Sequence, residues 1–238
     1  MRKFPNPHIN TLKSYVVHTN LLERLPSNMS IVEKAIKEGK ENGDPYATGQ
    51  FSAINYILRN LLSNDDLLPN SKLLVSEQFS FEKTEWIRTL HSLQMTPIRL
   101  HLEKMLDPTA PLPHHIGSYR FFKKVLGTRI MPNPTSIKKH MHELLLSICS
   151  FNESIDQKIK NPFMLSKMDL QTISDICYET NLKICCIKPF EDGSNRIARL
   201  VENALRLYWG LPWKIIQIED KDKYLSDIFE MQKKYPER

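Results

Sequence analysis

The segment Lys188-Pro-Phe-Glu-Asp-Gly-Ser-Asn-Arg-Ile-Ala-Arg199 gathers the residue types of an anion site. Gly193 permits a tight backbone turn, and Ser194 and Asn195 are favourable helix N-caps. An amphipathic stripe follows at once. Ile197, Leu200, Val201, Ala204, Leu205 and Tyr208 recur at helical spacing. The unpaired N–H groups of that helix's first turn therefore point into the loop, and a helix start of this kind holds anions. Arg196 and Arg199 sit near the same helix end, where positive charge is unfavourable unless something negative lies between them. Asp192 supplies a negative charge and a hard oxygen ligand suited to Mg²⁺. Together these residues read as a phosphate cradle with a metal-binding carboxylate. A plainer reading of the same residues is a charged helix start in which Asp192 pairs with Arg196.

The elements that must position this loop are mainly helical. Leu170, Ile173, Cys177 and Ile184 mark a helix ending at Pro189, and Gly210 with Pro212 stops the helix after the loop. Tyr224, Leu225, Ile228 and Phe229 predict a final helix near 221–233. Upstream, the early prolines and weak periodicity of the first ~25 residues predict an extended arm. Ser30 and Glu33 form a capping box for a helix to about Gly39, and a second helix runs from Gln50. Trp86, Ile87, Leu90 and Leu93 place a helix over about 82–94, with Pro97 beginning another. The proline-rich segment 107–120 is not helical, and Tyr119–Ile130 predicts a small hairpin turning at Gly127-Thr128. Ile137, Met141, Leu144, Leu145 and Ile148 restore a helical stripe. The expected division is an N-terminal helical extension, 1–80, and a main domain, 81–238.

Composition narrows the function classes. The 238 residues include only 7 glycines, too few for a turn-rich barrel or sandwich. A net charge of +6 admits anionic partners, but no nucleic-acid module accompanies it, so nucleic-acid binding is not expected. Cys149, Cys177, Cys185 and Cys186 lack CxxC spacing and read as buried reduced thiols. His114 and His115 have no carboxylate or cysteine at ligand spacing. No apolar run approaches transmembrane length, and the N-terminus lacks the apolar core of a signal peptide. A soluble, cytoplasmic protein is expected; delivery into another cell would need a route other than that signal.

The segment KPFEDGSNRIAR resembles the Fic family signature His-Pro-Phe-x-(Asp/Glu)-Gly-Asn-Gly-Arg-x-x-Arg. Pro189, Phe190, Asp192, Gly193, Arg196 and Arg199 match it. Gly117-Ser118-Tyr119-Arg120 is similar to the segment leading into the family's flap hairpin, and Met131-Pro132-Asn133-Pro134 to the return from it. Leu90-His91-Ser92-Leu93 and Trp209-Gly210-Leu211-Pro212 also fall in the family's order. The resemblance covers about 82–230. It implies the Fic fold: a mainly α bundle with a small β-hairpin flap.

Fic proteins typically transfer AMP from ATP·Mg²⁺ to a Ser, Thr or Tyr hydroxyl of a target protein, with the motif histidine as general base. By resemblance, Asp192 holds Mg²⁺, while Gly193, Ser194 and Asn195 bind phosphate oxygens. Arg196 and Arg199 neutralise the nucleotide phosphates. Phe121, Phe122 and Val125 belong to the flap that docks a protein target by strand addition. Three departures stand out. Lys188 replaces the histidine, and a lysine amine of ordinary basicity is charged at neutral pH and accepts no proton. Ser194 and Asn195 replace Asn and Gly. The inhibitory pattern (Ser/Thr)-x-x-x-Glu-(Gly/Asn) is met only in part at Lys34–Gly39, which makes Glu38 the candidate partner of Arg199.

The expected function is a Fic-fold protein with a degenerate site. It binds ATP, another nucleotide or another phosphate compound, with AMP transfer lost or strongly reduced. Two alternatives stay open. One is an active transferase of AMP or another phosphate-containing group, an effector-like enzyme using Lys188 or substrate positioning. The other is a helical protein-interaction module whose loop is a relic.

Overall fold

The computed structural model describes residues 7–61, 83–105, 115–126, 129–159 and 167–235. In order come α1 (Ile9–Leu22), α2 (Met29–Asn42), α3 (Pro45–Leu61), α4 (Glu85–Lys104) and the antiparallel pair β1 (Val125–Leu126) and β2 (Arg129–Ile130). Then follow α5 (Pro134–Ile159), α6 (Lys167–Ile187), α7 (Ser194–Tyr208), a 3-10 turn at Ile218–Asp220 and α8 (Lys221–Lys234). The fold is mainly α, as expected. Residues 125 and 126 pair with 130 and 129, as the predicted hairpin requires; Gly127-Thr128, where the turn was expected, and His114 lie outside the described residues.

One apolar core runs from Leu12 and Val16 of α1 through Ile54 and Ile57 of α3 to Tyr224 and Ile228 of α8. The central helix is α7, buried along nearly its whole length and packed against α3, α4 and α6. Such burial suits a helix with Ile197, Leu200, Val201, Ala204 and Leu205 along its stripe. Its N-terminus thereby becomes a fixed point inside the bundle. Cys177, Cys185 and Cys186 are buried and Cys149 is partly buried.

Several local expectations are corrected. Of the expected N-terminal arm, residues 9–22 form a helix instead. Pro7 precedes α1, whose Leu12, Tyr15, Val16, Thr19 and Asn20 form a buried stripe. Two members of that stripe are polar, which hides the periodicity. The N-cap of α2 is Asn28, whose side chain accepts the Ile31 N–H at 3.0 Å, and not Ser30. In α3, Asp44 Oδ1 accepts the Ala47 N–H at 2.8 Å, so the helix begins at Pro45 rather than Gln50. Pro97 does not open a new helix but lies buried within α4. There α3 and α4 touch backbone to backbone: a Cβ on Gly49 would lie 2.0 Å from the Gln94 carbonyl oxygen. This packing offsets the helix hydrogen bond that proline removes.

Candidate phosphate-binding site

The loop begins where α6 ends. The Lys188 N–H donates to Ile184 O at 2.9 Å, and Lys188 then turns into left-handed backbone with φ +48°. A lysine rarely adopts that region, because its Cβ crowds the backbone. Phe190 is buried, and Gly193, with φ +74°, is the N-cap residue of α7. Ser194 was expected to cap the helix; instead it is the first helical residue. Its Oγ accepts the Phe190 N–H at 3.0 Å and donates to Phe190 O at 3.1 Å. That closes the loop on itself and leaves the first-turn N–H groups of α7 to the loop's open side.

Two buried side chains outside the loop hold it in place. His91 of α4 stacks on Phe190 with ring centroids 3.9 Å apart. Its Nδ1 accepts the Gly117 N–H at 2.9 Å, so Nε2 carries the proton and donates to Asp192 O at 3.1 Å. Burial pushes the imidazole down to about 4, the Asp192 carbonyl opposing and the Arg196 charge adding to it. Arg120 is buried and ties the loop to the flap. Its Nε donates to Lys188 O at 2.8 Å, Nη1 to Phe122 O at 2.8 Å and Nη2 to Pro132 O at 2.7 Å. Sequence reasoning assigned neither residue a role in the site. Both lie in the segments that carry the resemblance, and that was the available signal.

The charged groups meet as follows. Lys188 Nζ donates to Asn195 Oδ1, so the two departures from the signature satisfy each other. Lys124, from the strand side of the flap, donates through Nζ to Glu191 O. Burial, then the Lys188 charge, lowers the Lys124 amine below its ordinary range. Asp192 is 67% exposed and lies 3.1 Å from Arg196. Arg196 itself is buried, with its guanidinium 5.5 Å from the Tyr46 ring centroid. Phe121 and Val125 are exposed, Phe122 less so, and the His115 ring meets Phe121 edge-on at 4.5 Å.

Arg199 is 2% exposed and lies 2.7 Å from Glu23, the residue that ends α1. Burial raises the Glu23 carboxyl. The charge and hydrogen bond of Arg199, with Arg196 and Lys188 behind them, overcome this and hold it below its ordinary value. Burial lowers the guanidinium in turn, but Glu23, Tyr224 and Tyr15 raise it further, so it stays charged. Glu38, the sequence candidate for this contact, instead lies 3.9 Å from Lys34 on its own helix.

A lone exposed carboxylate at the loop fits Mg²⁺ only beside phosphate oxygens, which is the usual way this ion is held. Among the described residues no group of three or more His, Cys, Asp or Glu forms a self-contained metal site. Asp192 is the carboxylate of this loop that could hold Mg²⁺ together with a phosphate ligand.

The architecture matches solved structures over nearly its whole length. A Fic-domain-containing signaling protein from Bacteroides thetaiotaomicron superposes with a TM-score of 0.60 at 18% identity, covering 96% of this chain and 74% of that one. Fic-1 (residues 134–508) from C. elegans gives 0.61 at 15% identity, covering 93% and 56%. The chain has the Fic fold. In sequence, this Fic-fold chain is similar to "Protein adenylyltransferase Fic" from Nematostella vectensis, 26% identical over 155 residues. The match covers 65% of this chain and 32% of that protein, so the chain spans about a third of that relative. No family model matches.

Within the Fic fold, the Glu23 contact explains what the sequence reading missed. Thr19-Asn20-Leu21-Leu22-Glu23 fits the Ser/Thr-x-x-x-Glu part of the inhibitory pattern, and Arg24 stands where Gly or Asn is expected. Arg24 has φ +61°. Its N–H donates to Leu21 O at 2.9 Å and that of Leu25 to Asn20 O at 3.0 Å, the bonding of a left-handed helix stop. The backbone keeps the conformation that glycine favours, while the residue type conceals it. No helix among the described residues is long and apolar enough to cross a membrane.

Proposed function

We propose that this Fic-fold protein binds a nucleotide or related phosphate compound at the start of α7, with AMP transfer lost or strongly reduced. The observation carrying this reading is the state of residue 188. The position of the motif histidine holds a lysine whose ammonium donates to Asn195. A donor engaged in that way supplies no lone pair for a hydroxyl proton, and losing a general base costs about 10²–10⁴ in rate. The anion-binding parts remain. Asp192, Arg196 and Arg199 are present, and the first-turn amides of α7 face the loop. Lys188 and Asn195 then serve as phosphate-contacting groups, and Asp192 as the Mg²⁺ ligand. The exposed flap residues Phe121, Phe122 and Val125 would meet a protein partner.

A relic loop is the second reading, favoured by the ion pairs that neutralise Arg196 and Arg199 within the chain. Against it, Arg196 Nε and Nη1 and Arg199 Nε are buried without a hydrogen-bond partner among the described residues. A loop with no ligand would be left with those desolvated donors.

The test incubates the protein with labelled ATP, CTP, GTP or UTP and Mg²⁺, using cell lysate as target, alongside Lys188→His and Arg199→Ala. Calorimetric binding of the same nucleotides is measured in parallel. Nucleotide binding with label transfer only by Lys188→His is the expected result. Transfer by the natural protein would overturn the loss of activity, and absence of binding by the natural protein and by Lys188→His would leave the relic.

A further inference from the structure

Lys124 lies among the flap residues, yet its side chain reaches back to the loop. The backbone beneath it is held on both sides. Lys124 O accepts the Met131 N–H at 2.9 Å, and the Arg120 N–H donates to Pro189 O at 2.9 Å. From there the half-buried side chain carries its ammonium to Glu191 O. The Lys188 ammonium stands at the same loop and donates to Asn195 Oδ1. The two are near enough that the Lys188 charge, next after burial, lowers the Lys124 amine. The Asp192 carboxylate opposes it, Arg120 adds to it and Glu191 opposes it again.

Both ammonium groups therefore rest on neutral acceptors. Asp192 is taken by Arg196, and Glu191 gives Lys124 only its backbone carbonyl. Two like charges in a half-buried place repel, and a neutral oxygen offsets this less than an anionic one. Arg196 sharpens the imbalance. It is buried, its Nε and Nη1 have no hydrogen-bond partner among the described residues, and its Nη2 lies 3.6 Å from where a Cβ on Gly193 would stand. Two lysines on neutral partners and an arginine with unused donors thus meet at one loop. Such a set suits a multiply charged oxyanion.

We infer that Lys124 is a second phosphate-binding lysine, which leaves Glu191 O for a phosphoryl oxygen that Lys188 also contacts. The inference rests on the phosphate-binding reading of that site and adds the flap to it. The ligand then bridges flap and loop, where the free protein has two repelling cations. A plainer role for Lys124 is to pin the flap to the loop. The two roles differ in what removing the ammonium does to the free protein.

Lys124→Met keeps the apolar stem and removes the charge. The free variant should melt no lower than the natural protein, because a repulsion disappears with the hydrogen bond. Affinity for Mg²⁺ complexes of ATP and ADP, measured calorimetrically, should fall about tenfold, as for a lost hydrogen bond to a charged group. Lys124→Arg keeps the charge and should recover most of that loss. Adenosine, which has no phosphate, serves as the control and should bind the natural protein and both variants equally. If the natural protein binds the nucleotides and Lys124→Met binds them within about twofold, the inference fails alone. A lower Tm for Lys124→Met, with adenosine affinity lost in the same proportion, would assign the lysine to pinning the flap and overturn it too. So would a Lys124→Arg variant as weak as Lys124→Met, because charge would then not matter. If the natural protein binds no phosphate compound, the reading of the site and this inference fall together. Lys124→Gln takes the place of Lys124→Met should the latter not fold.

Discussion

The Glu23 carboxylate lies 2.7 Å from the Arg199 guanidinium, joining residues 176 positions apart across the N-terminal and C-terminal helices. Arg199 also donates to Thr19 O at 3.4 Å and lies with its guanidinium 5.9 Å from the Tyr224 ring centroid. The pair thus clamps α1 to α7 and occupies the arginine that a phosphate ligand would use. Both ideas can be separated by mutation.

Glu23→Gln should destabilise the free protein by about 3 kcal/mol, because a buried guanidinium loses its counter-charge. The same change should raise affinity for Mg²⁺–nucleotide by about tenfold or more, since the ligand no longer competes with a carboxylate. Denaturant melts and calorimetry on one preparation test both. Unchanged affinity together with lost stability would make the pair purely structural.

His91 sets a pH dependence. Its folded-state pKa is pushed down to about 4 from the usual 6.5, chiefly by burial. Its stabilising contribution is therefore complete above pH 6.5. Below that value the unfolded chain takes up a proton that the folded one refuses, and stability falls until pH reaches about 4. The full shift corresponds to roughly 3 kcal/mol. Urea melts at intervals between pH 7 and 4 should show the decline, and His91→Gln should flatten it.

Arg120 makes four hydrogen bonds from its guanidinium, to Phe122 O and Pro132 O on the two sides of the flap and to Ile187 O and Lys188 O where the loop begins. Lysine cannot reproduce the planar fork, so Arg120→Lys should lose about 2–3 kcal/mol. The effect should be local. Amide exchange at residues 120–124 and at Met131 should accelerate more than in the core of α7.

Ser194 bridges the N–H and C=O of Phe190. Ser194→Ala leaves that buried N–H without its partner and should cost about 1–3 kcal/mol. Thermal melts measure the loss. A neutral result would mean that the loop holds its shape through His91 and Arg120 alone.

The stretch from Pro189 to Arg199 was legible because its geometry is local. Gly193 turns the chain and the apolar spacing after it fixes a helix, so the placement of Asp192, Arg196 and Arg199 follows from sequence order. The cap was misread for the same reason. Ser194 is a good N-cap in isolation, but the buried Phe190 backbone claims its hydroxyl. The helix α1 was missed because Thr19 and Asn20 interrupt its apolar stripe. Asn20 Oδ1 and the Thr19 carbonyl oxygen meet Gln50 and Arg199 only when α3 and α7 pack against them.

By itself, the sequence determined the helical composition, the hairpin, the turn at Gly193 before a long amphipathic helix, and the resemblance of 188–199 to the Fic signature. Those follow from periodicities and turn residues acting over a few positions. Only the tertiary structure decided that Glu23 and not Glu38 meets Arg199, and that Lys188 engages Asn195. Each is a contact between side chains whose meeting depends on how buried helices pack. No local propensity encodes which of several glutamates, amides or lysines is carried to a given arginine or loop.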